Sequence, residues 1–151
     1  MLKQIILTSE GFKKIKQELE KLKSRRKEVS ERICNAREFG DLAENSEYED
    51  AKNEQSFLEG RILELEMMLK NAQVVTKNGT DKVEVGSQVT LKIDGEAIKY
   101  EIVGASESDP KAGKISVESP LGHSLMGKSK NEKAEIITPQ GKMTCEIIEI
   151  S

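Results

Sequence analysis

Between Glu38 and Asp50 the chain places six carboxylates and no Lys or Arg in thirteen residues, with Arg37 just before the run and Lys52 just after it. Asp41 and Glu44 are three apart, close enough on a turn or helix start for both to face one point. Oxygen donors of this kind suit Mg²⁺, and two of them on an open site hold it weakly while a partner supplies the remaining ligands. An incomplete site of that sort fits a metal that arrives with the protein and acts elsewhere. A second use of the same residues is structural. Gly40 can end one helix, Asp41 can cap the next, and Glu44 stands where a capping box wants its carboxylate. Acids at a helix start also suit the helix dipole. Both readings are open from these residues alone. No EF-hand spacing, His-rich set or glycine-rich phosphate loop competes with them.

Two apolar series flank this segment. The first runs Phe12, Ile15, Leu19, Leu22, Val29, Ile33 and Ala36, with Arg26 at the missing position. The second runs Tyr48, Ala51, Leu58, Ile62, Leu65, Leu69 and Ala72, with Gln55 at its gap. Steps alternating between three and four mark the stripe of a coiled-coil helix. Members of the two series pair at equal distances from residue 42: Phe12 with Ala72, Leu19 with Leu65, Ile33 with Ala51, Ala36 with Tyr48. That symmetry predicts an antiparallel hairpin turning near residue 42. Arg26 then faces Leu58, laying its stem on the seam with its head in water. Thr8 or Ser9 is the expected N-cap of the first helix, with Glu10 in its first turn. Residues 12–36 as helix would extend roughly 36 Å at about 1.5 Å per residue, a rod that carries its tip into narrow places.

Charge follows the same division. From Gly11 to Arg37 ten Lys or Arg stand against four Glu, while from Glu38 to Glu66 ten acids stand against two bases. A basic first helix thus faces an acidic second one, although exposed pairs contribute only about 0–1 kcal/mol each. Charged residues make up 34 % of the chain and aromatic ones 3 %, with a net charge of −3. That mixture excludes one large core and does not advertise nucleic-acid binding, yet its patterned Leu, Ile and Val exclude disorder. Cys34 and Cys145 form no ligand motif and read as reduced thiols. The opening apolar run is too short for a signal peptide and no long one follows, so a soluble cytoplasmic chain without a membrane partner is expected.

After Val75 a polar stretch reads as linker. Val89, Leu91 and Ile93 alternate, Asp94-Gly95 supplies a hairpin turn, and Ile98, Tyr100 and Ile102 alternate again. Ile115 and Val117 mark a further strand. Ser119-Pro120 opens a short helix with Gly127 at its end, and Pro139-Gln140-Gly141 joins a last hairpin. The expected fold class is therefore a long antiparallel coiled-coil hairpin, residues 1–76, a linker 77–81, and a small α+β domain, 82–151. His123, the single histidine, reads as a surface residue.

The run from Ala36 through Glu38-Phe39-Gly40-Asp41-Leu42-Ala43-Glu44-Asn45-Ser46-Glu47-Tyr48, continuing through Ala51-Lys52 to Gly60-Arg61-Ile62, resembles the signature of bacterial Gre transcription elongation factors, closest to the GreA type. Ser116 to Gly122, followed by Leu125 to Lys128, resembles the C-terminal signature of the same family. The resemblance covers essentially the whole chain. It implies a C-terminal domain with the FK506-binding fold that docks at the mouth of a polymerase channel. Tyr100 is the only aromatic residue after position 76, so the aromatic pocket of a prolyl isomerase is not expected. The resemblance also implies that the hairpin enters the secondary channel of a bacterial RNA polymerase that has slid backward. There the family's tip acids help the polymerase hold a second Mg²⁺ and orient a water for cleavage of the RNA. By position Asp41 and Glu44 carry this role, as catalytic carboxylates and as metal ligands shared with the polymerase.

Arg37 and Lys52, which flank the acids, read either as contacts to RNA phosphate or polymerase or as ordinary solvated charges. Ser46 is either such a contact or a cap, and Tyr48 is expected to pack on the seam. Phe39 stands where a polar residue is expected. The partners implied are RNA polymerase and the 3′ end of backtracked RNA, with no stably bound cofactor, and the chain itself a monomer and not an enzyme. Other readings are a structural coiled-coil adaptor with a merely capped turn, or a channel-binding inhibitor of polymerase. A tRNA-binding arm would want a basic tip.

Overall fold

The computed structural model describes residues 4–38, 40 and 45–151, and the chain divides into two compact units, Lys13–Asn71 and Met1–Phe12 with Ala72–Ser151. The three-four periodicity yields the two expected helices, α1 from Ser9 to Arg37 and α2 from Ser46 to Lys70. Ile15, Leu19, Val29, Ile33 and Ala36 of α1 are buried, as are Ala51, Leu58, Ile62 and Leu65 of α2. Val29, Ile33, Ala51 and Leu58 form one apolar cluster, with Leu22 and Tyr48 packed against it. Late residues of α1 thus meet early residues of α2, and Glu18 near the start of α1 meets Arg61 late in α2, so the pairing is antiparallel. Each fully buried aliphatic side chain contributes about 1.5–3 kcal/mol. Arg26 is half-buried on the seam, its Nη1 3.6 Å from Glu59.

Thr8 caps α1: the Gly11 N–H donates to Thr8 Oγ1 at 3.0 Å. The same Thr8 donates its hydroxyl to Glu107 Oε1 at 2.5 Å and its N–H to Glu107 Oε2 at 2.8 Å. A carboxylate is therefore held over the positive end of α1. Two glycines make room for this joint. A Cβ on Gly11 would lie 2.1 Å from Glu107 Oε1, and one on Gly104 would lie 1.8 Å from the Ile6 carbonyl oxygen.

Ala72 was expected on the second helix, but α2 ends at Lys70 and Ala72 opens a strand. This strand, β2 (Ala72–Val75), pairs in parallel with β1 (Ile5–Thr8), Ile5 opposite Ala72 and Thr8 opposite Val75. The seam spacing extends through Ala72 by coincidence; backbone hydrogen bonds to β1 offer its peptide groups a better partner than a frayed helix end.

The remaining strands are β3 (Gln88–Ile93), β4 (Glu96–Val103), β5 (Lys114–Ser116), β6 (Lys133–Thr138) and β7 (Gly141–Ile150), with α3 (Pro120–Leu125) between β5 and β6. They form one sheet in the order β5-β4-β3-β7-β6. Asp94 and Gly95, at φ 51° and 83°, make the two-residue turn between β3 and β4 that their types require. Ser119 caps α3, accepting from the Gly122 N–H at 3.1 Å. The alternating residues Val89, Leu91, Ile102, Cys145 and Ile147 meet Leu125 of α3 in one core, with Tyr100 packed against it. Residues 77–81, read as a linker, connect β2 to β3 within a single unit. His123 is exposed, as expected.

The close approach of Gly104 to Ile6 generates a prediction with an internal control. Gly104→Ala should destabilise the sheet-containing unit by about 1–3 kcal/mol through overpacking. Gly60→Ala, in α2 with nothing within 4 Å of its Cβ, should stabilise the helical unit by up to about 1 kcal/mol. Urea unfolding followed by circular dichroism reads both signs, and a Gly104→Ala chain as stable as wild type would refute the contact.

Candidate functional site

The two helix ends that face each other across the turn are defined by local chemistry. α1 terminates at Arg37, after which the Gly40 N–H donates to the Arg37 carbonyl at 3.2 Å and Gly40 takes φ 97°, a conformation that suits glycine. α2 starts at Ser46 with Asn45 as its N-cap, and Asn45 Oδ1 accepts from the Tyr48 N–H at 3.1 Å. The capping expected of Asp41, with Glu44 completing a box, is thereby corrected: the helix begins beyond both, and Tyr48 rather than an acid occupies its third position. The spacing of Asp41 and Glu44 imitates a box, yet Asn45 caps as well as Asp and lies next to the first seam residue. Ser46 is the first helical residue and not the cap.

Asn45 uses its other end as well. Its Nδ2 donates to the Ala36 carbonyl oxygen at 2.7 Å, joining the last turn of α1 to the first turn of α2. Asp41, Glu44 and Phe39 lie outside the described residues. Arg37 and Ser46 are exposed on either side of them. Lys52 is half-buried, with Nζ 5.9 Å from the centre of the Tyr48 ring, and Tyr48 packs on the seam cluster as expected.

An ion-pair lattice ties the two helices along their length, as the facing basic and acidic helices led one to expect, although the individual partners were not legible. Glu54 receives Arg25 at 2.6 Å and Arg32 at 2.7 Å. Arg32 also reaches Glu47 at 2.9 Å, and Arg61 reaches back to Glu18 at 3.0 Å. Of the tip acids, Glu47 is therefore committed to holding the hairpin. Hydrogen bonds from Arg25 first, and from Arg32, hold the Glu54 carboxyl below the usual carboxylate range, and its partner arginines are raised in turn.

Elsewhere the chemistry is sparse. Among the described residues no group of three His, Cys, Asp or Glu is placed to hold a metal, and no helix is long and apolar enough to cross a membrane. Both thiols are free; Cys34 is exposed, and burial pushes the Cys145 thiol up, away from the reactive thiolate.

Comparison with known proteins is decisive about kinship. Residues 5–74 match the family of transcription elongation factor N-terminal domains, and residues 77–151 match the C-terminal domain family of transcription elongation factors GreA/GreB. This chain belongs to the GreA/GreB family of transcription elongation factors. Transcription elongation factor GreA of Clostridium botulinum strain Hall is 50 % identical to it, over 99 % of this chain and 96 % of the relative. The GreA of Bacillus cereus strain AH187 is 52 % identical over 95 % of this chain and 94 % of the relative. A solved structure of the transcription factor Gfh1 is 28 % identical, covers 99 % of both chains and superposes with a TM-score of 0.50. The two-helix region followed by a sheet domain is thus the architecture of a Gre-family chain.

The lattice predicts a pH dependence. Because the folded-state pKa of Glu54 is depressed, its contribution is present above the unfolded value of about 4.3 and is lost as pH falls through the folded one. Wild type should unfold at higher urea than Glu54→Gln at pH 7, and the gap should close as pH is lowered below about 4. A gap that persists at pH 2 would show that Glu54 acts through packing instead.

Proposed function

We propose that this chain is an accessory factor of bacterial RNA polymerase that stimulates the polymerase's own cleavage of backtracked RNA and so returns arrested complexes to synthesis. One observation carries the reading: α2 is capped by Asn45, so the segment bearing Asp41 and Glu44 is not what starts the helix. Acids that are not needed to cap α2, in the stretch of sequence between two helix ends held together, call for another use. Relatives matching nearly the whole chain carry the name transcription elongation factor GreA, which supports polymerase as the partner.

In this reading the helical hairpin enters the secondary channel and brings its loop to the catalytic centre, which the polymerase provides. Asp41 and Glu44 would hold a Mg²⁺ ion jointly with the polymerase; carboxylate oxygens are the donors that ion prefers, and an incomplete set suits a shared site. Once bound there, the ion would supply Lewis-acid stabilisation of the phosphodiester under attack and lower the pKa of a water. Glu44 or Asp41 would accept a hydrogen bond from that water and orient it. Arg37 and Ser46, exposed beside the loop, can touch the RNA 3′ segment or the channel wall. Lys52 is drawn toward Tyr48 and is less free to do so. The chain contributes ligands and orientation as a monomer, acts in the cytoplasm where the polymerase is, and is not itself the catalyst.

The test is RNA cleavage in a backtracked bacterial polymerase complex with wild type, Asp41→Asn and Glu44→Gln. Both variants should stay folded and bind as wild type does, since neither residue starts α2. Stimulation should fall roughly 100-fold or more, because several kcal/mol of transition-state stabilisation are removed and each 1.4 kcal/mol is about tenfold. Equal stimulation by all three would remove the metal role. Wild type that binds and slows the polymerase without cleavage would make the chain an inhibitor, and absence of binding would leave the structural-adaptor reading.

A further inference from the structure

We propose that Asn45 is a positioning residue for the tip carboxylates, a tether that sets where the loop bearing Asp41 and Glu44 leaves α1 and enters α2. This deepens the cleavage reading and rests on it. The Asn45 amide works at both ends: Nδ2–H donates to the Ala36 carbonyl at 2.7 Å and Oδ1 accepts from the Tyr48 N–H at 3.1 Å. Only this orientation of the amide satisfies both partners, since a carbonyl cannot donate and an N–H cannot accept. Ala36 belongs to the last turn of α1, whose carbonyls have no donor further along the helix, and Tyr48 to the first turn of α2, whose N–H groups have no earlier carbonyl. One side chain therefore closes an open end of each helix.

Starting α2 does not require this. Asp, Ser or Thr would accept from the Tyr48 N–H comparably well. What Asn adds is the donor that reaches α1, and that donor has no role in beginning the second helix. Its effect is to hold the two ends of the intervening loop at a set separation. Ligation of Mg²⁺ demands near-octahedral geometry at about 2.0–2.1 Å, and a misplacement of about 1 Å can cost about 100-fold in rate. A loop with tethered ends meets that demand with less reordering than one with free ends. The first turn of α2 has an independent anchor in the 2.9 Å pair between Glu47 and Arg32, so removing the tether need not unfold the hairpin.

Asn45→Ser keeps the cap acceptor without adding charge and is too short to reach Ala36. Asn45→Asp keeps the acceptor and has no donor. Two measurements on the full chain separate the possibilities. Amide hydrogen exchange without polymerase should show the Tyr48 N–H within about threefold of wild type in both variants. The Glu38 and Gly40 amides, bonded to Asn35 and Arg37 at the end of α1, should exchange at least about tenfold faster.

In a backtracked polymerase complex the concentration of variant giving half-maximal stimulation should stay within about twofold of wild type. The plateau cleavage rate should fall at least about tenfold, partly restored by raising Mg²⁺. A purely structural role would move the half-maximal concentration or the melting temperature and leave the plateau and its Mg²⁺ dependence alone. Glu38 and Gly40 exchange rates, or plateau rates, equal to wild type in both variants overturn the proposal. Wild type that binds polymerase but does not stimulate cleavage overturns the cleavage reading and the positioning role with it, and that failure is recognised from wild type alone.

Discussion

A pair of helices has no interior except the strip along which they touch, and everything in the helical unit depends on filling that strip. Val29, Ile33, Ala51 and Leu58 form its cluster near the turn, and Leu19, Ile62 and Leu65 are buried further along. Burial of aliphatic surface is the large favourable term. It sets which faces meet but discriminates weakly between registers, because one Leu or Ile substitutes well for another. The Arg–Glu lattice supplies the discrimination. Glu54 between Arg25 and Arg32, and Arg61 on Glu18, are satisfied together in one antiparallel register. Individual exposed pairs are weak, yet a shared carboxylate with bidentate arginine geometry is a network.

The two helix ends flanking the acidic pair show how structural work can be taken up by neighbouring residues. Helix termini leave donors and acceptors that must be satisfied by something. Here Gly40 and Asn45 take that task at the ends of α1 and α2, and Glu47 goes to Arg32. The acids on which the cleavage reading depends are thereby relieved of a duty that their spacing suits them for. The sheet-containing unit applies the same economy at Thr8, whose hydroxyl accepts from Gly11 to begin α1 and donates to Glu107. One side chain again serves two segments far apart in the chain.

Whatever depended on near neighbours was legible in the amino-acid order. The three-four spacing from Phe12 to Leu69 determined two helices and their antiparallel pairing, because both follow from side-chain direction along a helix. Asp94-Gly95 and Ser119-Pro120 determined a turn and a helix start, and Thr8-Ser9 narrowed a second helix start to two residues, since their conformational and hydrogen-bonding preferences act within three residues. The long acidic motif determined kinship, although not the local role of each acid in it.

Only the tertiary structure decided the β1–β2 pair, the Glu107 joint, the commitment of Glu47 to Arg32, and the tether from Asn45 to Ala36. Each of these joins groups whose separation along the chain exceeds any local periodicity, and four-residue strands carry too few alternations to announce themselves. Asn45 shows the boundary most clearly. Its acceptor oxygen serves a neighbour three residues on and follows from residue type, whereas its amide donor finds Ala36 only after two helices have folded back on each other.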